Sequence, residues 1–265
     1  MAQYTQRPMR FLENLFQSFS EHVLPTACIV CQQFQSASIC NQCLQAIYRD
    51  SLLQYECCYQ CGIPLQTTEI HQGQCNSCIT QAPSFDQTIC LDRYDGLLQE
   101  ALHQFKYQKR LAFAHGLSSA WNALLANEID DRSIDYLLPV PLSQKKLLTR
   151  GFNQSWELAK RIQCGSHIQK LPYALKRFHD VEHQAAKNYS ARQQDIRQMF
   201  YIDTKDIEIL KGKSVAVFDD VMTSGATLNE IARTLKMIGV TRVSNWVLLR
   251  TTKLGIQAES LSRIK

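Results

Sequence analysis

Near the start of the chain, Phe11, Leu12, Leu15, Phe16 and Phe19 recur at three- and four-residue spacing, interrupted by Glu13 and Asn14. That spacing predicts an amphipathic helix, and the interruption breaks the apolar run that a secretion signal needs. From about residue 94 the pattern alternates between helical periods and short apolar runs. Residues 97–105 and 111–125 read as helices, and 134–141 as a buried strand running into a turn. Asn153 is placed to cap a helix that continues to about residue 162. Residues 173–198 are polar and glycine-free, an excursion between strands. Residues 214–220 form a short apolar strand ending in two acids. A glycine-bearing turn, a helix to about 237 and a last strand over 240–249 follow. Strands alternating with helices predict an α/β fold with a mostly parallel sheet flanked by helices. Such sheets bind ligands at the carboxyl ends of their strands, which nominates the turns after Val140 and after Phe218.

Composition alters this picture in one region. Hydrophobic residues at 45% and charged residues at 20% exclude a mainly disordered or fibrous chain. No apolar stretch approaches the roughly 18 residues that span a bilayer. Of eleven cysteines, nine lie in residues 28–78. Without a signal core, that clustering reads as a cytoplasmic, reducing setting in which cysteines hold metal. The cysteine segment ends near Ala82-Pro83-Ser84, so residues 1–82 are expected to form an N-terminal helix and metal module, and 83–265 the α/β domain.

The spacings are Cys28-x2-Cys31-x8-Cys40-x2-Cys43 and Cys58-x2-Cys61-x13-Cys75-x2-Cys78. Each Cys-x2-Cys turn presents two thiolates to one tetrahedral ion, and a second turn completes the set. Two such quartets predict structural zinc, one or two ions, with no open position for catalysis. Cys57 competes with Cys58 for the register. Cys58-Tyr-Gln-Cys61-Gly62 has the usual knuckle spacing and is preferred.

Two apparent motifs fail. Leu210-Lys-Gly-Lys-Ser214 ends like a P-loop but has Ile207 where the first glycine belongs, and it precedes a strand. His179-Asp-Val-Glu-His183 matches an inverted zinc-protease spacing without a supporting helix or third ligand. Charge is uneven: residues 1–90 carry net −3 and residues 91–265 net +8. The basic part suits an anionic ligand, a phosphorylated small molecule or nucleic acid.

The most informative segment is Val215-Ala-Val-Phe-Asp-Asp-Val-Met-Thr-Ser-Gly-Ala-Thr227. Two carboxylates end a buried strand, and Thr223, Ser224 and Thr227 surround Gly225 at a helix N-terminus. Backbone amides and the helix dipole favour a phosphate there, while the carboxylates accept from ribose hydroxyls. One loop therefore suits both ends of a ribose 5-phosphate.

This stretch resembles the 5-phosphoribosyl pyrophosphate (PRPP) motif of type I phosphoribosyltransferases. With Leu138-Pro-Val-Pro-Leu142, Arg150-Gly-Phe-Asn-Gln154, Gln184 followed by Arg192, and the double cysteine knuckle, the chain is similar to the ComF family of competence proteins. The resemblance implies a type I phosphoribosyltransferase-like domain behind a double zinc ribbon. It implies that Asp219 and Asp220 hold the ribose hydroxyls, and that Thr223, Ser224, Gly225, Ala226 and Thr227 hold the 5-phosphate. Val140 and Pro141 would approach pyrophosphate with Arg150 in support, and Mg²⁺ would accompany the PRPP. Residues 176–197 would form the lid, with Lys176, Arg177 and Arg192 as catalytic candidates. Asp195 and Lys187 depart from the family's usual Asn and Leu within that lid.

Two functions follow. One is transfer of ribose 5-phosphate from PRPP to a nitrogen acceptor. The other is non-catalytic handling of single-stranded DNA in transformation, alongside DNA-uptake machinery proteins, with the ribose-phosphate pocket retained. Phe105-Lys-Tyr107 and Lys176-Arg-Phe178 are the segments suited to tracking a strand, although core packing explains their aromatics more simply.

Overall fold

The structure, a computed structural model, describes residues 26–126, 129–178 and 199–252. The expected N-terminal helix, the His179–His183 motif, and Gln184, Lys187, Arg192 and Asp195 lie outside these residues.

A two-stranded antiparallel ribbon, β1 (Thr26–Ala27) and β2 (Phe34–Gln35), opens the described chain, followed by helix α1 (Asn41–Asp50) and by α2 (Asn76–Thr80), which Cys75 caps and which carries Cys78. The main sheet comprises β3 (Gln87–Arg93), β4 (Tyr136–Pro139), β5 (Gln169–Lys170), β8 (Ser214–Met222) and β9 (Arg242–Arg250). All of its pairings are parallel, in the order β3-β9-β8-β4-β5. Helices α3 (Gln99–Tyr107) and α4 (Phe113–Leu124) connect β3 to β4, α5 (Gln144–Arg150) and α6 (Gln154–Ala159) follow β4, and α8 (Ala226–Met237) connects β8 to β9. β6 (Leu175–Arg177) and β7 (Phe200–Ile202) form a separate antiparallel pair, and α7 (Thr204–Leu210) leads into β8.

The parallel sheet follows from apolar runs with no polar face. Along β8, Ala216 and Phe218 enter one hydrophobic cluster while Val215 and Val217 enter the other, so both faces are buried. Trp121 of α4 packs edge-on to Phe218 at 5.4 Å and lies 6.2 Å from Trp246.

The cysteine segment is divided between these faces. Cys28, Ile29, Ile39 and Ile47 join the cluster that contains Trp121 and Phe218. Cys58, Cys61, Leu65, Cys75 and Cys78 join the cluster that contains Val217, Leu228 and Val247. Gly116 permits the first contact, because a Cβ there would lie 2.7 Å from Ile29 Cγ2. The chain then enters the sheet at Asp86, whose amide donates to Val243 O at 2.9 Å.

Several element bounds differ from expectation. β8 extends two residues further, to Met222, so the two acids lie inside the strand. The helix after Asn153 ends at Ala159, three residues early, although Asn153 does cap it by accepting from Ser155 N and Trp156 N. β3 was not anticipated at all.

Candidate ribose-phosphate site

Asp219 and Asp220 stand at the carboxyl end of the sheet with 9% and 3% exposure. After Met222 the chain turns through Thr223 and Ser224 into Gly225, whose φ of +80° makes it the N-cap of α8. A Cβ at Gly225 would also come within 2.6 Å of Met222 Cε, so glycine is required on two counts. Gly225 brings no side chain to cap α8, and Asp219 and residues 221–228 line a small concavity at its N-terminus. The structure thus brings together the acids and the hydroxyl-bearing turn.

Two further side chains complete the acidic pair. Lys106, in the last turn of α3, places Nζ 2.5 Å from Asp220 Oδ2 with both side chains largely buried. Ser155 Oγ, fully buried, donates to Asp219 Oδ1 at 3.1 Å, and the same oxygen accepts from Asp220 N at 2.9 Å. Sequence reasoning placed Lys106 only in the strand-tracking segment 105–107 and did not single out Ser155. Lys106 follows buried Leu102 by four positions and therefore lies on the inward face of its helix, which was the available signal. Its neighbours separate: Phe105 is core, 5.0 Å from Phe152, whereas Tyr107 is exposed beneath the Arg150 guanidinium at 5.6 Å.

Burial, and then the adjacent Asp220 carboxylate, push the Asp219 carboxyl up from 3.8 to about 8. The folded protein therefore keeps this proton to higher pH than the unfolded chain. Stability contributed by the group is complete below about pH 4 and is lost as pH rises through about 8. A pH series of denaturant unfolding should show this decline, and Asp219→Asn should remove that component of it.

At the other nominated turn, Val140 N donates to Phe218 O at 2.9 Å, and Val140 O accepts from Asn153 Nδ2 at 3.1 Å. Pro141 has no N–H. Both backbone groups of Val140 are thus engaged in holding the turn against β8 and α6. Arg150 donates to Gln154 Oε1 and covers Tyr107, which places its charge beside the end of α3.

Lys176 and Arg177 lie on β6. Lys176 Nζ pairs with Asp203 Oδ2 at 2.5 Å, and Arg177 sits 5.7 Å over the Phe200 ring. Lys176 is thus tied to the N-cap of α7 and Arg177 to β7, at the base of the excursion.

The sulfurs of Cys28, Cys31, Cys40 and Cys43 all lie within 4.8 Å of one another, as do those of Cys58, Cys61, Cys75 and Cys78. Tetrahedral zinc with bonds of about 2.3 Å needs sulfur separations of about 3.8 Å. Cys61 Sγ and Cys75 Sγ are 3.6 Å apart, Cys31 Sγ and Cys40 Sγ 3.9 Å, so both quartets fit structural zinc. The hydrogen bond between the Cys58 and Cys61 side chains holds the Cys58 thiol down at about 5 and pushes the Cys61 thiol up, so the close sulfurs share their protons unevenly. Cys57 is excluded from the quartet; its sulfur faces Leu52 O at 3.6 Å. A separate cavity of about 540 Å³ between the first quartet and α4, lined by Ile29, Ser38 and Phe113 among others, shares no residue with the concavity at the acids.

The phosphoribosyl transferase domain family matches residues 148–255. The DNA utilization protein YhgH of Escherichia coli (strain K12) is 28% identical over 219 residues, covering 80% of this chain and 90% of that protein. Competence protein F of Haemophilus influenzae is 26% identical over 229 residues, covering 84% and 96%. Competence protein ComFC of Bacillus subtilis is 25% identical over 242 residues, covering 84% and 95%. With its parallel sheet flanked by helices, the domain has the type I phosphoribosyltransferase fold.

Proposed function

From its standing as a homologue of the ComF-type competence proteins with a phosphoribosyltransferase-type domain, we propose that this chain binds PRPP with Mg²⁺. The carrying observation is the continuous run from the buried acids of β8 through the glycine turn into α8. Asp219 and Asp220 accept from the ribose hydroxyls, and residues 223–227 hold the 5-phosphate on backbone amides. Arg150 meets the pyrophosphate. In transfer, a nitrogen acceptor forms a bond to the anomeric carbon and loses a proton, while the carbon–oxygen bond to pyrophosphate breaks and the electron pair leaves with it. Lys176 and Arg177, with Arg192, are the cations proposed to meet that leaving charge.

A second reading is favoured by the exposed Tyr107–Arg150 stack near Lys106, together with relatives named for DNA utilization and competence. Here the pocket is retained and a single strand runs over the stack, in a cytoplasmic protein that works with DNA-uptake partners. No helix among the described residues is long and apolar enough to cross a membrane.

Calorimetry with PRPP, with and without Mg²⁺, tests the first reading. Saturable binding that strengthens as pH rises through about 8, where Asp219 ionises, is the expected result. No heat and no competition by pyrophosphate at any pH would overturn it. Oligonucleotide binding that falls steeply with salt and ignores sequence is the signature of the second.

A further inference from the structure

Arg250 ends β9 at the carboxyl edge of the sheet and is only 6% exposed. Among the described residues its guanidinium donates only to backbone carbonyls. Nε donates to Cys61 O at 3.0 Å, and Nη1 donates to Met222 O at 3.1 Å, to Thr223 O, and to Thr251 O at 2.9 Å. Cys61 belongs to the second cysteine quartet, and Met222 and Thr223 lead into the phosphate turn. One side chain therefore spans the metal module and the loop, across 189 positions of sequence in the case of Cys61.

Two features strengthen this placement. Among the described residues no carboxylate pairs with Arg250, and a buried cation without an anion is costly. The turn it supports is also the place where an anion is to be held. Behind that turn, the module and the residues that directly follow it make further contacts. Gln60 Nε2 donates to Phe85 O at 3.3 Å, the Phe85 ring lies 3.9 Å from where a Gly225 Cβ would be, and Ser84 N donates to Asn229 Oδ1 at 2.6 Å in the first turn of α8. Among the described residues, the first quartet, packed on the opposite face through Ile29, has no comparable link to the turn.

We propose that Arg250 is a positioning residue that joins the second quartet to residues 223–227, so that the closed quartet sets the shape of the turn and the guanidinium adds to its affinity for a phosphate monoester. This rests on the ribose-phosphate reading above. Because coupling is reciprocal, a phosphate monoester on the turn steadies the metal of the second quartet.

The test compares the zinc-loaded full chain with Arg250→Met and Arg250→Lys, titrated with ribose 5-phosphate and, separately, with pyrophosphate. Losing charge-assisted support should weaken ribose 5-phosphate roughly tenfold or more in Arg250→Met, and less in Arg250→Lys, which keeps the charge but not the fork. Pyrophosphate, assigned above to Arg150, should change by less than about twofold. Zinc release to a chromogenic chelator should accelerate for one of the two metal equivalents, and ribose 5-phosphate should slow that phase in the parent. Unchanged ribose 5-phosphate affinity, or equal loss for both ligands, would overturn the proposal. If Arg250→Met fails to fold, Arg250→Lys decides by the same split between ligands. A parent that binds neither ligand defeats the ribose-phosphate reading itself, a different outcome from a parent that binds and a variant that is indifferent.

Discussion

Above about pH 8, where Asp219 is ionised, replacing Asp219 and Asp220 together by asparagine weakens PRPP binding by about two to four orders of magnitude, since hydrogen bonds to a charged partner are worth about 1.5–3 kcal/mol each and about 1.4 kcal/mol is tenfold. Side-chain volume is nearly unchanged, so the strand is kept, but the environment is not neutral to the change. Asp220→Asn leaves Lys106 at 13% side-chain exposure without its 2.5 Å partner, which lowers stability. Asp219→Asn acts in the other direction, because it removes a carboxyl whose ionisation burial opposes. The single Asp219→Asn variant is therefore the cleaner probe of ligand binding, and Asp220→Asn combined with Lys106→Met restores the charge balance of the other half. Thermal unfolding controls for the fold, and calorimetry with PRPP and Mg²⁺ reads the effect. Thr223→Val should cost less, since backbone amides at the start of α8 still meet the phosphate. Folded double variant and parent binding PRPP equally well would place the pocket elsewhere.

The residues that could be read from sequence are those whose chemistry is local. The strand, acids, glycine turn and helix of 214–237 form one uninterrupted segment, so their order alone predicts the loop. The cysteine pairs are likewise near neighbours. β3 escaped notice because Gln87, Thr88, Asp92 and Arg93 interrupt its apolar positions. Its polar residues are accommodated only by tertiary contacts: Thr88 Oγ1 accepts from Asn245 Nδ2 at 3.1 Å, and burial pushes the Asp92 carboxyl up to about 7. The places of Lys106 and Ser155 beside the acids, and of Arg250 behind the turn, were invisible for the same reason. Each acquires its role from a partner far away in the chain, and a lysine, a serine or an arginine in isolation reads as surface. Nor does spacing disclose that the two quartets pack on opposite faces of one sheet, which depends on the path of the chain between residues 47 and 58.

That division makes the two quartets unequal, and the inequality is testable. Freshly purified protein should carry about two zinc ions per chain, each with four thiolates. Apparent zinc-binding energies in small thiolate sites are about 10–16 kcal/mol, comparable with or larger than the whole stability of about 5–15 kcal/mol typical of a domain. Opening either quartet should therefore unfold its own segment, and Cys28→Ser and Cys61→Ser should each cost about one zinc and much of the soluble yield. The consequences diverge from there. All four sulfur ligands of the second quartet belong to buried residues, and they share a core with Leu138, Val217 and Leu228, so Cys61→Ser should also destabilise the sheet and the turn before α8. In the first quartet Cys31 is exposed and Cys40 and Cys43 only half-buried. Cys31→Ser should then lose one metal while the sheet, the acidic pair and PRPP binding persist. Metal analysis, circular dichroism and calorimetry on the same preparations separate these outcomes. Folded protein free of zinc would remove the metal from the account, and equal loss of PRPP binding in Cys31→Ser and Cys61→Ser would show that both faces, not one, support the turn.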